Sequence, residues 1–216
     1  MIPLSGGRLE DNRNNKDNFF LLSMLDNLRK FRIILASNSP RRRELLAGLG
    51  IDYEVRTLQG IDESYPSDLP VEQAAEYIAA EKAAAYRQQM ADDELIITAD
   101  TIVIVGDEVM GKPHDADDAR RMLHKLSNRT HQVITGVCLT TSTKQRHFSV
   151  TTDVTFKALA DEEIDYYINT YRPYDKAGAY GIQEWIGYIG VTGLHGSYFN
   201  VMGLPVQRIY TELSRF

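Results

Sequence analysis

A short apolar strand runs directly into a helix in the sequence Ile33-Ile34-Leu35-Ala36-Ser37-Asn38-Ser39-Pro40-Arg41-Arg42-Arg43-Glu44-Leu45-Leu46. Ser39 suits the N-cap of that helix, and Pro40 suits its first position, where the missing N–H of proline costs no hydrogen bond. Leu45 and Leu46 then give the helix an apolar face. The stretch therefore predicts a strand, a small polar turn and a helix that begins at Pro40.

The first turn of this helix carries three arginines, Arg41 to Arg43. A helix N-terminus has a partial positive charge, so each arginine should be unfavourable there by about 0.3–1 kcal/mol. Free backbone N–H groups, a serine hydroxyl and guanidinium groups would together suit a polyphosphate. The alternative is three solvated arginines on an exposed helix.

Composition excludes several classes of protein. A chain of 216 residues with 43% hydrophobic and 25% charged residues is typical of a globular protein, with one domain or two small lobes around a shared cleft. A net charge of -6 argues against broad nucleic-acid binding. The single cysteine, Cys138, excludes an internal disulfide framework and fits a reducing compartment, so we expect a small core residue in a cytoplasmic protein.

The N-terminal segment lacks the apolar core that is typical of a signal peptide or a membrane span. Residues 1–18 are polar, and no apolar run in the chain approaches the roughly 20 residues that a membrane span needs. We interpret residues 1–23 as a disordered extension and residues 24–216 as a single folded catalytic domain. Met24 is an alternative start of the native chain.

One lysine interrupts the apolar stripe of a long helix, which is predicted from Val71 to about Met90. Lys82 lies four residues after Ile78 and four before Tyr86, on the same helical face. Its ammonium group either extends outward to solvent or reaches into a cavity that holds a negative group.

An acidic residue interrupts the apolar strand predicted from Leu95 to Val105. A carboxylate is costly to bury unless it is paired, hydrogen-bonded or bound to a metal, so Asp100 is the strongest single candidate for a functional residue. Lys112 lies between a glycine and a proline, where the backbone could approach an anion closely. A lysine in a surface turn is the simpler interpretation of Lys112.

Strands and helices alternate along the rest of the chain, which predicts an α/β fold. His124 and His131 lack the spacing of metal ligands, so no zinc site is expected. The predicted elements are a strand at 53–55, a hairpin arm at 109–113, a helix capped by Asp115 and ending at Leu126, strands at 132–141 and 148–156, a helix at 161–171, a ligand-approach loop at 175–183, a glycine-rich loop at 193–205 and a final helix from Val206.

Seven motifs, taken in order, resemble the Maf family from about Ile33 to the C-terminus. Each motif is weak alone, but the ordered set is specific. They are Ala36-Ser37-Asn38-Ser39-Pro40-Arg41-Arg42, Glu63, Lys82-Ala83, Ala99-Asp100-Thr101, Gly111-Lys112-Pro113, Lys176-Ala177-Gly178 through Gln183, and Asn200-Val201-Met202-Gly203-Leu204-Pro205.

The resemblance implies a nucleoside triphosphate pyrophosphatase, which hydrolyses its substrate to the monophosphate and pyrophosphate and could remove non-standard nucleotides. It also implies an elongated mixed β-sheet flanked by helices, with two lobes around a deep cleft, often in a homodimer. Tyr180-Gly181-Ile182-Gln183 resembles the branch that acts on dTTP and UTP. Glu184-Trp185 departs from the pattern, because the family usually has glycine after the glutamine.

Site residues follow from the same resemblance. Glu63 and Asp100 would hold Mg²⁺ or Mn²⁺, hard cations that prefer oxygen ligands, and Asp100 would also accept the proton of the attacking water. Lys82 and Lys112 would be catalytic together with Asp100, since with Arg41 and Arg42 they would neutralise the phosphates and the charge on the leaving group. The remaining residues would bind the substrate, with Ser37 and Ser39 as anion contacts, Arg41, Thr101 and Gln183 at the base, and Lys176 as a further substrate-binding residue. The substrate is then a nucleoside triphosphate, with no nucleic acid or membrane as partner.

Three other functions compete with this one. The Maf family is also associated with inhibition of septum formation, which would make the protein a non-enzymatic regulator. A sibling pyrophosphatase for modified or purine nucleotides is the closest rival. A phosphatase of small phosphate esters ranks lower, because Asp100-Thr101-Ile102-Val103 lacks the Asp-x-Asp pattern of aspartyl-phosphate enzymes.

Overall fold

The computed structural model describes residues 25–216, which form one mixed sheet and the helices packed against it. The strands are β1 (Arg32–Leu35), β2 (Glu54–Val55), β3 (Glu94–Val105), β4 (Glu108–Met110), β5 (Thr130–Thr140), β6 (Gln145–Phe156) and β7 (Val191–His195). The helices are α1 (Pro40–Ala47), α2 (Val71–Arg87), α3 (Ala116–Leu126), α4 (Asp161–Tyr171), α5 (Trp185–Gly190), α6 (Tyr198–Met202) and α7 (Val206–Leu213). Short 3-10 turns occupy Asp26–Leu28 and Ala177–Ala179.

The sheet has seven strands in the order β2-β1-β3-β5-β6-β7, with β4 also paired to β3. β1 pairs in parallel with β2 and β3, and all other pairs are antiparallel. The predicted α/β class and the elongated mixed sheet are therefore confirmed.

The long strand β3 changes its neighbour halfway along its length. Residues 94–97 pair with β1 and residues 103–105 pair with β4, while β5 pairs with residues 96–104 on the opposite side of β3. Residues 98–102 consequently have a strand on one side only. A cleft opens at this gap in the sheet, and Asp100 lies in the middle of it.

Two hydrophobic clusters lie at opposite ends of β3 and define two lobes. Leu95 and Ile97 belong to a cluster that includes residues of β1, α1 and α7. Val103 and Val105 belong to a second cluster that includes residues of α3, α4 and α5. The two predicted lobes around a cleft are thus built on the two ends of one continuous strand, β3.

Helix α2 lies unusually close to the sheet. Its inward face includes several fully buried alanines, among them Ala75 and Ala79. A Cβ built on Gly136 of β5 would lie 2.2 Å from the backbone carbonyl of Ala75, so only glycine permits this approach. The close packing brings Lys82, on the same helix, within reach of β3.

Helix α1 begins as predicted. The Ser39 hydroxyl accepts a hydrogen bond from the Arg42 backbone N–H at 3.4 Å, and Pro40 occupies the first position. Leu45 and Leu46 are buried against the sheet. The N-terminus of α1 therefore points into the cleft.

The predicted loop at 193–205 is wrong in part. Residues up to His195 belong to β7, which pairs with β6, and Ser197 caps the short helix α6 through a 3.3 Å hydrogen bond from Asn200 N–H. Strand pairing with a distant segment overrides the glycine-rich composition here. Helix α5 was also not predicted, and α2 ends at Arg87 instead of near Met90.

Two predictions concern residues that the structure does not reach. The disordered extension at 1–23 and the alternative start at Met24 lie outside the described residues. Within residues 25–216, no helix combines the length and the apolar character needed to cross a membrane.

Candidate active site

A cleft of about 660 Å³ lies where the sheet opens beside β3. This volume is typical of a small-molecule site. The structure brings every predicted site residue to the wall of this cleft, namely Ser37, Ser39, Arg41, Arg42, Glu63, Lys82, Asp100, Thr101, Lys112, Lys176 and Gln183.

Lys82 connects two carboxylates at the centre of the cleft. Its Nζ lies 2.8 Å from Asp100 Oδ1 and 2.9 Å from Glu63 Oε1. Only 13% of the Lys82 side chain and 15% of the Asp100 side chain are exposed. Lys82 therefore does not extend outward to solvent, and its charge offsets part of the negative charge of the two carboxylates within the cleft.

The pKa of Glu63 is held below its ordinary value. Partial burial acts to raise this pKa, but the hydrogen bond and the charge of Lys82, with smaller effects of Lys112 and Arg42, more than offset it. Glu63 is therefore ionised at neutral pH and can act as an oxygen ligand.

The candidate donors for a divalent cation are these two carboxylates. Glu63 and Asp100 share one lysine nitrogen, so their oxygens lie near each other in the cleft. Among residues 25–216, no group of three or more His, Cys, Asp or Glu side chains could hold a metal ion. Two carboxylates fit Mg²⁺ that takes its remaining oxygen ligands from water and from substrate phosphates.

Arg42 connects groups on different walls of the cleft by hydrogen bonds. Its guanidinium donates to the Gly203 carbonyl at 2.8 Å, to the Ala99 carbonyl at 2.9 Å and to Thr101 Oγ1 at 3.0 Å. Burial lowers the pKa of Arg42, and the Asp100 carboxylate partly offsets that effect. Every guanidinium nitrogen has a protein acceptor, so Arg42 shapes the site as well as adding charge to it.

The Thr101 hydroxyl is part of a chain of hydrogen bonds with a fixed direction. Thr135 Oγ1 donates its proton to the Asn200 carbonyl at 3.1 Å, so in the 2.9 Å pair between the two threonines Thr101 must be the donor. Thr101 also accepts from Arg42. It can therefore only accept a further hydrogen bond from a ligand.

Arg41 and Lys176 share a carboxylate that the sequence analysis did not identify. Asp175 Oδ2 lies 2.8 Å from Arg41 Nη1, and Asp175 Oδ1 lies 2.7 Å from Lys176 Nζ. Partial burial acts to raise the pKa of Asp175, but these two cations lower it to about 2. Asp175 thus holds two predicted phosphate ligands at the cleft.

A second carboxylate, Glu184, also binds Lys176. Glu184 Oε1 lies 3.1 Å from Lys176 Nζ, and Glu184 Oε2 accepts a hydrogen bond from the Tyr167 hydroxyl. Tyr167 in turn accepts from the Gly181 backbone N–H at 3.0 Å. In the sequence, these contacts are indicated only by Glu184 itself, which stands where the Maf pattern usually has glycine.

The remaining predicted residues differ in exposure. Ser37 is buried, and its hydroxyl accepts from the Ser39 backbone N–H at 3.2 Å. Lys112 is exposed at the cleft rim, close enough to affect Glu63 electrostatically. Gln183 lines the cleft, and its buried Oε1 has no hydrogen-bond partner in the protein. This unpaired acceptor indicates a ligand N–H at that position.

Comparison with known proteins shows which family the chain resembles. The family described as Maf-like protein matches residues 32–216. The chain is 70% identical to a protein of Phocaeicola vulgatus and 61% identical to one of Parabacteroides distasonis, both named dTTP/UTP pyrophosphatase. Each match covers 89% of this chain and 100% of the relative.

Two solved structures are similar at low sequence identity. One is a nucleoside-triphosphatase / dITP/XTP pyrophosphatase from Mycobacterium abscessus, with 15% identity, a TM-score of 0.41 and coverage of 86% of this chain and 96% of that chain. The other is a HAM1 protein from Coxiella burnetii, with 13% identity, a TM-score of 0.44 and coverage of 86% and 100%. Sequence similarity over nearly the whole described chain places the protein in the Maf family.

Proposed function

We propose that this protein hydrolyses dTTP and UTP to the corresponding monophosphate and pyrophosphate. The observation that carries the proposal is the group formed by Glu63, Lys82 and Asp100, in a cleft that the N-terminus of α1 also enters. Support for the substrate comes from the relatives at 70% and 61% identity, which are named dTTP/UTP pyrophosphatase.

The reaction is attack of water on the α-phosphorus. The bond between the α-phosphorus and the oxygen that bridges to the β-phosphorus breaks, and pyrophosphate leaves. Asp100 accepts the proton of the attacking water. Lys82 and Lys112 lie on the cleft wall, where their charges offset the negative charge that grows on the leaving group.

A divalent cation is part of the proposal. Glu63 and Asp100 would hold Mg²⁺ or Mn²⁺, which neutralises phosphate charge and polarises the phosphoryl oxygens. Lys82 keeps both carboxylates in place before the nucleotide arrives. Asp175 holds Arg41 and Lys176 at the same cleft. Triphosphate oxygens can replace the Asp175 carboxylate as the partner of these two cations.

We assign base selection to Gln183, because its amide oxygen can only accept hydrogen bonds. Gln183 Oε1 is an unpaired acceptor, and the N3–H of uracil or thymine is a matching donor. Cytosine has an acceptor at N3 and would leave Gln183 Oε1 unpaired, which is the costly case.

Product analysis tests the proposal. Pure protein is incubated with dTTP, UTP, CTP or GTP and Mg²⁺ or Mn²⁺, and nucleotide and phosphate products are separated. We expect monophosphate and pyrophosphate, formed fastest from dTTP and UTP. Orthophosphate release would indicate a phosphatase, and a preference for purine or modified triphosphates would indicate the sibling enzyme. A folded protein that hydrolyses none of them would favour the septum regulator.

The homodimer and the cytoplasmic location remain predictions. The buried, unbridged Cys138 supports a reducing compartment. Light scattering of the purified chain tests the homodimer directly.

A further inference from the structure

We propose that Glu184 is a positioning residue for base recognition, because its carboxylate determines which end of the Gln183 amide faces the cleft. The proposal rests on the proposed function, since it concerns the base that the same cleft selects. Glu184 itself touches neither the phosphates nor the reacting water in this assignment.

The Glu184 carboxylate is fixed by two different groups. One oxygen lies 3.1 Å from Lys176 Nζ, and the other accepts from the Tyr167 hydroxyl. Tyr167 is fully buried, and the Lys176 and Glu184 side chains are only 8% and 19% exposed. A carboxylate held at both oxygens in so little solvent has a defined position.

Gln183 and Glu184 converge on the same glycine. A Cβ built on Gly181 would lie 3.0 Å from Gln183 Nε2, 3.0 Å from Glu184 Cδ and 3.1 Å from Glu184 Oε2. The amide nitrogen and the carboxylate therefore lie around one point above Gly181 and are no more than about 6 Å apart. Because a carboxylate attracts the positive NH₂ end of an amide and repels its oxygen, Glu184 favours the orientation with Nε2 beside it.

The opposite end of the amide is then left for the ligand. Gln183 Oε1 is buried at the cleft without a protein partner, as this orientation requires. An acceptor at this position selects the N3–H of uracil and thymine. The flipped amide would present NH₂, which suits the N3 acceptor of cytosine. The negative charge of Glu184 thus acts as a discriminator between UTP and CTP.

The test compares a variant that removes the charge with one that keeps the charge and removes the Tyr167 hydroxyl, which is hydrogen-bonded to Glu184 and to the Gly181 N–H. Glu184→Gln keeps the size of the side chain but loses its charge. We expect the ratio of kcat/KM for UTP to that for CTP to fall about tenfold, the size of one net hydrogen bond, with most of the change in KM. Tyr167→Phe keeps the charge, so its ratio should stay within about twofold of the wild-type ratio.

Two outcomes would overturn the proposal. In the first, Glu184→Gln keeps the wild-type ratio while its thermal unfolding shows a folded protein. In the second, it slows both nucleotides by the same factor, which a structural role would also do. If Glu184→Gln alone unfolds the protein, the double variant Lys176→Met, Glu184→Gln removes both partners of the ion pair, and the same ratio decides.

Binding measurements separate this proposal from the proposed function. Calorimetry with α,β-imido analogues of UTP and CTP reports base selection without hydrolysis. A wild-type protein that prefers the UTP analogue but releases no pyrophosphate would contradict the proposed function, and loss of that preference in Glu184→Gln would still support the role of Glu184. A wild-type protein that binds both analogues equally would overturn the role of Glu184, whatever its activity.

Discussion

Lys82 is the residue where a sequence anomaly and a structural contact coincide. A lysine within an apolar helical stripe is stabilised only if its ammonium reaches water or a negative group, and here it lies within 3 Å of both Glu63 and Asp100. The two carboxylates would repel each other without it. Lys82 therefore stabilises an arrangement in which Asp100 lies beside the α2 helix and the open side of β3.

Asp100→Asn should abolish turnover and leave the fold intact. The amide cannot accept the proton of the attacking water, so we expect kcat for dTTP to fall by about 100-fold to 10,000-fold. Lys82 keeps Glu63 as its partner, and the melting temperature should change little. Steady-state kinetics and thermal unfolding measure both effects.

Glu81→Gln is the matched control, because it removes a carboxylate from the exposed residue that precedes Lys82. It should keep wild-type kcat. Near-normal turnover in folded Asp100→Asn would show that another group activates the water.

Sequence alone could identify the anomalous residues but not the partners that explain them. Asp100 in an apolar strand and Lys82 in an apolar stripe are local patterns, so both could be predicted. Asp175 and Glu184 lie at the two ends of a segment in which the sequence marks only Glu184, by its departure from the family pattern, and their importance comes from Arg41 and Lys176 reaching them in three dimensions. The sequence does not show which cations these carboxylates pair with, because the pairings form only in the folded chain.

Elements were predictable where their own sequence determined them. Helix α1 has its own cap and the long strand β3 its own apolar run, so both were found. The five residues of β7 and the six of α5 lack such signals. β7 is a strand because β6 supplies its hydrogen bonds, and that information lies elsewhere in the chain.

The contact between α2 and β5 gives a prediction at the scale of elements. Gly136→Ala would place a Cβ 2.2 Å from the Ala75 carbonyl carbon and oxygen, and backbone atoms cannot rotate away. Helix α2 must then move off the sheet, at a cost of about 1–3 kcal/mol in the free energy of unfolding, or more. The shift also moves Lys82 relative to Asp100, so kcat should fall. Urea unfolding and steady-state kinetics measure the two effects.

Gly193→Ala is the control for this experiment. A Cβ there would meet Thr155 atoms at 3.5 Å, an ordinary van der Waals distance, and we expect almost no change in stability. An unchanged free energy of unfolding in Gly136→Ala would mean that α2 can leave the sheet without cost, which would contradict the close packing described here.

At the scale of the whole molecule, the site depends on the two lobes keeping their relative position. β3 runs through both lobes, and Arg42 connects α1 to the Gly203 carbonyl and to β3 itself. The cleft walls are therefore held before a ligand binds. Arg41, Lys82, Lys112 and Lys176 face this cleft, and carboxylates of the protein already hold Arg41, Lys82 and Lys176 in place.

Metal and nucleotide should therefore stabilise the protein together and not separately. Two carboxylates already paired with Lys82 make a weak site for free Mg²⁺, so EDTA should leave the melting temperature of the nucleotide-free protein unchanged. Adding an α,β-imido UTP analogue with Mg²⁺ at 100 times its Kd should stabilise the protein by about 2.7 kcal/mol, which raises the melting temperature by roughly 5–10 °C. EDTA should remove most of that increase, because the phosphates then lose the cation that joins them to Glu63 and Asp100. Differential scanning fluorimetry measures all four conditions.

A fall in melting temperature on adding EDTA to the nucleotide-free protein would instead mean that the cation resides in the protein, and the two carboxylates would need further ligands from elsewhere in the chain.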